Sequence, residues 1–288
     1  MSTNTPSVPR LTLNTGATIP QIGLGVFQVP PEDTEGVVRS AFEAGYRSID
    51  TAARYDNEQG VGEAFAASGL DRNDVFLTTK LANPDQGYES GLAAFDLSLE
   101  RIGVEEIDLY LIHWPCPKRG EMLASWRALE EVHAAGRARA IGVSNFLVHH
   151  LDQVAEASAV VPAINQIELH PYLQQKELRA YHAQHGILTE AWSPLAQGAV
   201  LKDPVISDIA QRLGRSPAQV VLRWHLQLGI VVIPKSVTPA RMRDNIDILD
   251  FELSDGDMAS IESLDRDGRT GFHPDHFNGF PEEFAAAR

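Results

Sequence analysis

The feature that most constrains this chain is a regular alternation of short apolar runs with longer segments of helical period. Eight runs read as strands, at residues 22–25, 47–50, 75–80, 107–113, 138–143, 164–168, 187–191 and 230–234. Apolar residues at helical spacing follow at 34–44, 60–68, 91–101, 122–135, 147–157 and 175–185. The seventh connection, 204–228, holds two helical stretches around residues 214–217. Gly45, Gly103, Gly136 and Gly186 stand where helices should end. Strands that alternate with helices pair in parallel, because a parallel connection needs a crossover long enough to hold a helix. Eight such units predict an α/β fold closed as a (β/α)8 TIM barrel rather than an open sheet. Upstream, the runs 11–13 and 17–19 flank Asn14, Thr15 and Gly16 and predict an N-terminal β-hairpin. Residues 266–288, rich in Gly, Pro, His and Phe, predict an irregular C-terminal tail.

An open dinucleotide-binding sheet is the main competitor. Its fingerprint needs three spaced glycines at a strand-to-helix turn. Here Gly23 and Gly25 are followed by Val26, Phe27 and Gln28, so the third glycine is missing and no helix starts before Pro30. The 288 residues carry no linker rich in Pro, Gly or Ser, and barrels of this length fold as one unit, so residues 1–288 are expected to form one domain.

Composition narrows the partners. A net charge of −15 argues against a broad nucleic-acid surface or a polybasic membrane patch. No stretch is long and apolar enough to span a bilayer, and the polar N-terminus does not read as a secretory signal. The single cysteine, Cys116, cannot form an intrachain disulfide. The expectation is a cytoplasmic monomer that acts on a small molecule.

In a barrel, functional groups gather at the carboxyl ends of the strands. The apolar runs here end at Asp50, Lys80, His113, Ser144 with Asn145, Gln166 with Glu168, Trp192 with Ser193, and Lys235 with Ser236. One polar residue at a strand end is usually a helix cap; seven successive ends converging on one face need a further reason. Asp50, Tyr55, Lys80 and His113 supply one. A lysine ammonium beside a tyrosine favours the phenolate and so strengthens the phenol as a proton donor. An aspartate keeps that lysine charged and placed. A histidine can orient a carbonyl oxygen. Such a set serves a carbonyl and needs no metal, and none is expected. Each residue has a plainer reading alone: Tyr55 as a packing aromatic, Asp50 as a helix cap, His113 as a satisfied strand-end group, and Trp192 as an apolar anchor. Lys235 and Arg241 could likewise be a solvated helix start. His149 and His150 read as a solvated helix face.

The motifs GYRSIDTAARYDNEQGVGEAF (45–65), TTKL (78–81), DLYLIHWP (108–115), AIGVSNF (140–146), NQIELHPY (165–172) and IPKSVTPARMRDN (233–245) cover most of the chain. In order and spacing the chain resembles the aldo-keto reductases, and among them the bacterial enzymes similar to 2,5-diketo-D-gluconic acid reductases. The resemblance implies an NADPH-dependent reduction of carbonyls to alcohols, by hydride transfer from nicotinamide C4 with Tyr55 as general acid. Lys80 and Asp50 would tune Tyr55, and His113 would orient the carbonyl. It implies that Ser144, Asn145 and Gln166 hold the nicotinamide carboxamide and that Trp192 stacks on the ring. Ser193, Leu195 and Gln197 would border the pyrophosphate, and Lys235, Ser236, Val237, Arg241 and Asn245 would surround the adenosine end. Lys235 and Arg241 would read the 2′-phosphate. Phe27 stands where many relatives carry tryptophan, and with Trp114 it is the candidate substrate wall. The short connection from Trp114 to Gly120 points to an open site for small aldehydes, dicarbonyls, keto esters or keto sugars. The alternative is an NADPH-binding regulatory or structural barrel with little turnover; an intact set of four argues against it.

Overall fold

A computed structural model describes residues 8–286, with side chains through residue 283. The reading of residues 1–7, and of the last two residues of the tail, lies outside these described residues.

The hairpin comes first: β1 (Arg10–Thr12) pairs antiparallel with β2 (Thr18–Pro20). Eight strands follow: β3 (Leu24–Gly25), β4 (Ser48–Asp50), β5 (Phe76–Leu81), β6 (Ile107–Ile112), β7 (Ala138–Ser144), β8 (Ile164–Glu168), β9 (Leu188–Trp192) and β10 (Val231–Val232). Each lies parallel to the next in chain order. The ends also meet. A parallel bridge joins Ile22 to Val232, and the Gly23 N–H donates to the Val232 carbonyl at 2.8 Å. The sheet is therefore a closed (β/α)8 barrel, which removes the exposed strand edges of an open sheet.

The helices are α1 (Pro31–Glu43), α2 (Glu58–Ser68), α3 (Tyr88–Ile102), α4 (Met122–Ala134), α5 (Val148–Ala157), α6 (Lys176–His185), α7 (Pro204–Leu213) and α8 (Pro217–Gln227). After β10 come α9 (Pro239–Ile246), α10 (Asp255–Glu262) and α11 (Pro281–Ala286). The two helices expected in the seventh connection are α7 and α8. Ser216 starts α8 with a reciprocal cap: its hydroxyl accepts from Gln219 N–H, and the Gln219 side chain accepts from Ser216 N–H. The tail expected to be irregular contains one short helix, α11, after a stretch without strands. The first and last barrel strands are shorter than their apolar runs; Pro234 has no N–H with which to extend β10.

Side chains alternate along the strands. In β6, Tyr110 and Ile112 pack outward against the helices, whereas Leu109 and Leu111 point into the barrel. The interior cluster includes Phe76, Ile164 and Val231 from the strand starts, and Leu13 and Ile19 from the hairpin lie against it. The hairpin thus closes the amino-terminal end of the barrel with apolar surface. β7 and β8 approach so closely that a Cβ on Gly142 would lie 2.5 Å from the Ile164 carbonyl oxygen. The carboxyl end is left for polar side chains. No helix among the described residues is long and apolar enough to cross a membrane.

Candidate active site

A cavity of about 530 Å³ opens at the carboxyl ends of the strands. Its lining takes Gly25, Asp50, His113, Ser144, Asn145, Gln166, Trp192, Ser193, Ile233 and Lys235 from or just beyond seven strand ends. Tyr55 enters from the 3-10 turn Ala53–Tyr55 that follows β4. Its hydroxyl is 3.5 Å from His113 Nε2.

Behind this pair lies a buried charge system. Lys80 is fully buried, and its Nζ contacts Asp50 Oδ1 at 2.7 Å, Asp50 Oδ2 at 2.8 Å and the Thr51 carbonyl at 2.8 Å. Burial opposes the charge on Lys80, but Asp50, together with Tyr55 and Glu190, outweighs it and leaves the lysine pKa raised. The ammonium lies 5.2 Å from the Tyr55 ring centroid. Burial raises the Tyr55 pKa above its ordinary value, and the Lys80 charge pulls it back. Burial, with Lys80 and Arg54 nearby, holds the His113 pKa well below its ordinary value, so the ring is neutral near pH 7. A neutral imidazole and a phenol backed by a cation can meet one carbonyl oxygen without a charge of their own.

The amides beside them form a connected set. Asn145 donates to the His113 carbonyl and to Ser144 Oγ, both at 3.0 Å, and its Oδ1 accepts from Trp192 Nε1 at 2.8 Å. Ser144 Oγ donates to the Gln166 carbonyl at 2.8 Å. Gln166 Nε2 donates to Asp50 Oδ2 at 2.8 Å and to Glu190 Oε2 at 2.9 Å. Ser193 and Gln197 also reach the cavity, in left-handed backbone with φ of 48° and 53°. The other expected cofactor positions do not line it. Leu195 packs against the core, and Ser236, Val237, Arg241 and Asn245 lie beyond Lys235, on or before α9. No ion pair engages Lys235 or Arg241 among the described residues.

A family model, Aldo/keto reductase family, matches residues 21–266. The chain belongs to the aldo/keto reductase family. An aldo-keto reductase of Mycolicibacterium smegmatis is 56% identical over 94% of this chain and 98% of its own. Glyoxal reductase of Bacillus subtilis is 51% identical over 91% of this chain and 95% of its own. Among solved structures, a mutant of Gox0644 in complex with NADPH superposes with a TM-score of 0.91 at 48% identity, covering 94% of this chain and 99% of that one. The protein is an NADP-dependent oxidoreductase, and NADPH is its cofactor.

The tail closes one side of the reductase cavity. Trp114, buried, meets the Phe277 ring at 4.7 Å and the Phe272 ring at 6.4 Å. The short connection after β6 is as expected, but it is not open on this side: Lys118 N–H and Arg119 Nε donate to Asn278 of the tail. Phe27 stands at the mouth, 55% exposed, its ring 5.0 Å from that of Tyr55.

Glu168, at the end of β8, holds the tail in place. Its carboxylate accepts from Thr270 N–H at 2.6 Å, Thr270 Oγ1 at 2.5 Å, Gly271 N–H at 2.9 Å and His170 Nε2 at 3.0 Å. Burial raises its pKa, but these donors more than offset that and leave it lowered. Gly271 lies so close to Trp192 that a Cβ there would sit 2.5 Å from the indole Cη2. Glu168→Gln weakens charge-assisted bonds worth about 1.5–3 kcal/mol each. It is expected to raise KM for the carbonyl substrate several-fold and to expose the tail to protease, with a smaller change in NADPH affinity. Steady-state kinetics and limited proteolysis check this.

The reading of His149 and His150 as a solvated pair needs correction. His149 is exposed, but His150 is buried: its ring packs against Phe146 and His149, and Asp275 of the tail lies 3.5 Å from its Nε2. His149, His150 and Asp275 are close enough to suggest a metal ion. However, His150 Nδ1 accepts from Leu147 N–H at 3.1 Å, so in the neutral ring Nε2 carries the proton and offers no lone pair to a metal ion beside Asp275. Cys116 is buried and its pKa is pushed up to about 12 by burial, so its thiol stays protonated.

Sequence reasoning missed Glu190, which touches Gln166, and the lining residues Arg54, Asn83 and Pro84. The signal for Glu190 was an acid in the middle of the strand run 187–191, where no solvent is available.

Proposed function

We propose that this reductase converts carbonyl groups of small aldehydes, dicarbonyls, keto esters and keto sugars to alcohols, with Tyr55 as the proton donor. The observation that carries the reading is the Tyr55 hydroxyl, 3.5 Å from His113 Nε2, facing one cavity with the Lys80–Asp50 pair buried behind it.

The residues fit the cofactor. The cavity offers amides and a hydroxyl to a carboxamide, an indole to a planar ring, and Lys235 to a phosphate. Ser144, Asn145 and Gln166 would hold the nicotinamide carboxamide and Trp192 would stack on the ring. Ser193, Leu195 and Gln197 would border the pyrophosphate. Lys235, Ser236, Val237, Arg241 and Asn245 would bind the adenosine end. Bound NADPH supplies the hydride that the carbonyl carbon accepts. His113 orients the carbonyl oxygen, and Tyr55 gives that oxygen its proton. The phenolate left behind faces Lys80, which stabilises it. Trp114, Phe27 and the tail phenylalanines exclude water from an apolar substrate end. The name of the Bacillus subtilis relative supports dicarbonyls of the glyoxal type. We further read residues 1–288 as one domain that works as a cytoplasmic monomer without nucleic-acid or membrane partners.

A steady-state panel of glyoxals, aldehydes, keto esters and keto sugars, each with NADPH and NADH, tests the proposal. NADPH consumption on several members is expected. NADPH bound without turnover across the panel would instead favour a regulatory or structural barrel. Arg241→Ala is expected to raise KM for NADPH by about 10-fold or more, since a charge-assisted bond to a phosphate contributes about 1.5–3 kcal/mol. KM for NADH should barely move; an equal change for both cofactors would remove Arg241 from the 2′-phosphate.

A further inference from the structure

We propose that Glu190 is a positioning residue of this reductase: it takes the second N–H of the Gln166 amide and sets the net charge behind Tyr55. The proposal rests on the carbonyl-reducing reading above and adds to it a group with no other assigned role.

The geometry is fixed by the barrel. Gln166 and Glu190 are register partners across the β8–β9 ladder, so their side chains project from neighbouring strands on the same face. Glu190 is 1% exposed. An amide nitrogen has two hydrogens, and both are used: one meets Asp50 Oδ2 and the other Glu190 Oε2. A flipped amide would set its oxygen against the Asp50 carboxylate and would leave Glu190 Oε2 without its N–H donor. Gln166 is thus held with its nitrogen toward the charged group and its oxygen turned away. Gln166 also lines the cavity where the carboxamide would lie. Two carboxyls, rather than one, therefore define which end of that amide the cofactor meets.

The second effect is electrostatic. The charged or titratable groups acting on Glu190 are Asp50 from β4 and Lys80 from β5; β8 brings the neutral Gln166, and Val231 of β10 is its other register partner. Burial and then Asp50 push the Glu190 pKa up to about 7, against Gln166 and Lys80. With Glu190 protonated, Lys80, Asp50 and Glu190 sum to zero; with it ionised they sum to −1. The ionised carboxyl acts on Lys80 and offsets part of the field by which Lys80 favours the Tyr55 phenolate. The sign follows: Tyr55 is the stronger acid below the Glu190 pKa and the weaker acid above it.

The test compares wild type, Glu190→Gln and Glu190→Leu, using the NADPH dissociation constant by nicotinamide fluorescence and kcat against pH with methylglyoxal. In wild type, kcat for reduction is expected to fall as pH rises through about 7. Glu190→Gln keeps an acceptor for Gln166 but cannot ionise. It should hold NADPH as wild type does and lose that fall. Glu190→Leu leaves one Gln166 N–H unpaired and should weaken NADPH several-fold, lower kcat, and leave KM for methylglyoxal nearly unchanged. The proposal is overturned by a Glu190→Gln profile that titrates like wild type, or by a folded Glu190→Leu with wild-type NADPH affinity. Should Glu190→Leu fail to fold, the Glu190→Gln profile decides alone. A wild-type protein that binds NADPH but reduces nothing defeats the reductase reading, while the affinity comparison still decides the role of Glu190.

Discussion

Tyr55→Phe is expected to lower kcat for carbonyl reduction by about 10²–10⁴-fold, the range for loss of a positioned general acid. The substitution removes one oxygen and keeps the ring, so the packing of Phe27 and His113 against it is retained. NADPH affinity should be little changed, because Tyr55 is not among the residues proposed to hold the cofactor. KM for the carbonyl should rise only modestly, since His113 still offers its ring nitrogen to the oxygen. The neutral His113 is a poor substitute acid, because burial and the Lys80 charge keep it from holding an extra proton. Steady-state kinetics with a dicarbonyl check the value. Turnover within a few-fold of wild type would remove Tyr55 from the role of proton donor.

The second large effect is on stability. Lys80→Met leaves the Asp50 carboxylate buried without its cation, and breaking such a pair from one side costs about 3–5 kcal/mol. For a chain of this size that lowers Tm by on the order of 10 °C. Activity should fall with it, as Tyr55 loses the charge that favours its phenolate. Adding Asp50→Asn to Lys80→Met removes the orphaned charge and should restore part of the lost stability but not the activity. Thermal unfolding of the two variants checks this. A double variant no more stable than Lys80→Met would mean that the pair is not the coupled unit its distances imply.

The barrel was legible because strand and helix periods alternate cleanly, and the hairpin because a glycine-containing turn joins two apolar runs. Asp50, Lys80, His113, Ser144, Asn145, Gln166, Trp192 and Lys235 were legible because parallel strands in a barrel all point their carboxyl ends one way. Glu190 was not, since it lies inside a strand, and only closure of the barrel sets Asp50, Gln166 and Glu190 against one another. The grip of Glu168 on Thr270 and Gly271 spans about a hundred residues, a pairing no local pattern can show. The approach of Asp275 to His150 has the same origin, for Asp275 arrives from the tail. The adenosine-end residues beyond Lys235 came from family motifs alone, and the cavity does not reach them.

The central claim is that this cavity reduces carbonyls with Tyr55 as the acid and the Lys80–Asp50 pair behind it. The most direct measurement is a single-turnover experiment that mixes the protein with one equivalent of NADPH and a small dicarbonyl and follows the loss of reduced-nicotinamide absorbance. The predicted result is stoichiometric loss that requires the carbonyl and nearly disappears in Tyr55→Phe. NADPH that binds yet stays reduced across the carbonyl panel, or loss that is equally fast in Tyr55→Phe, would contradict the account.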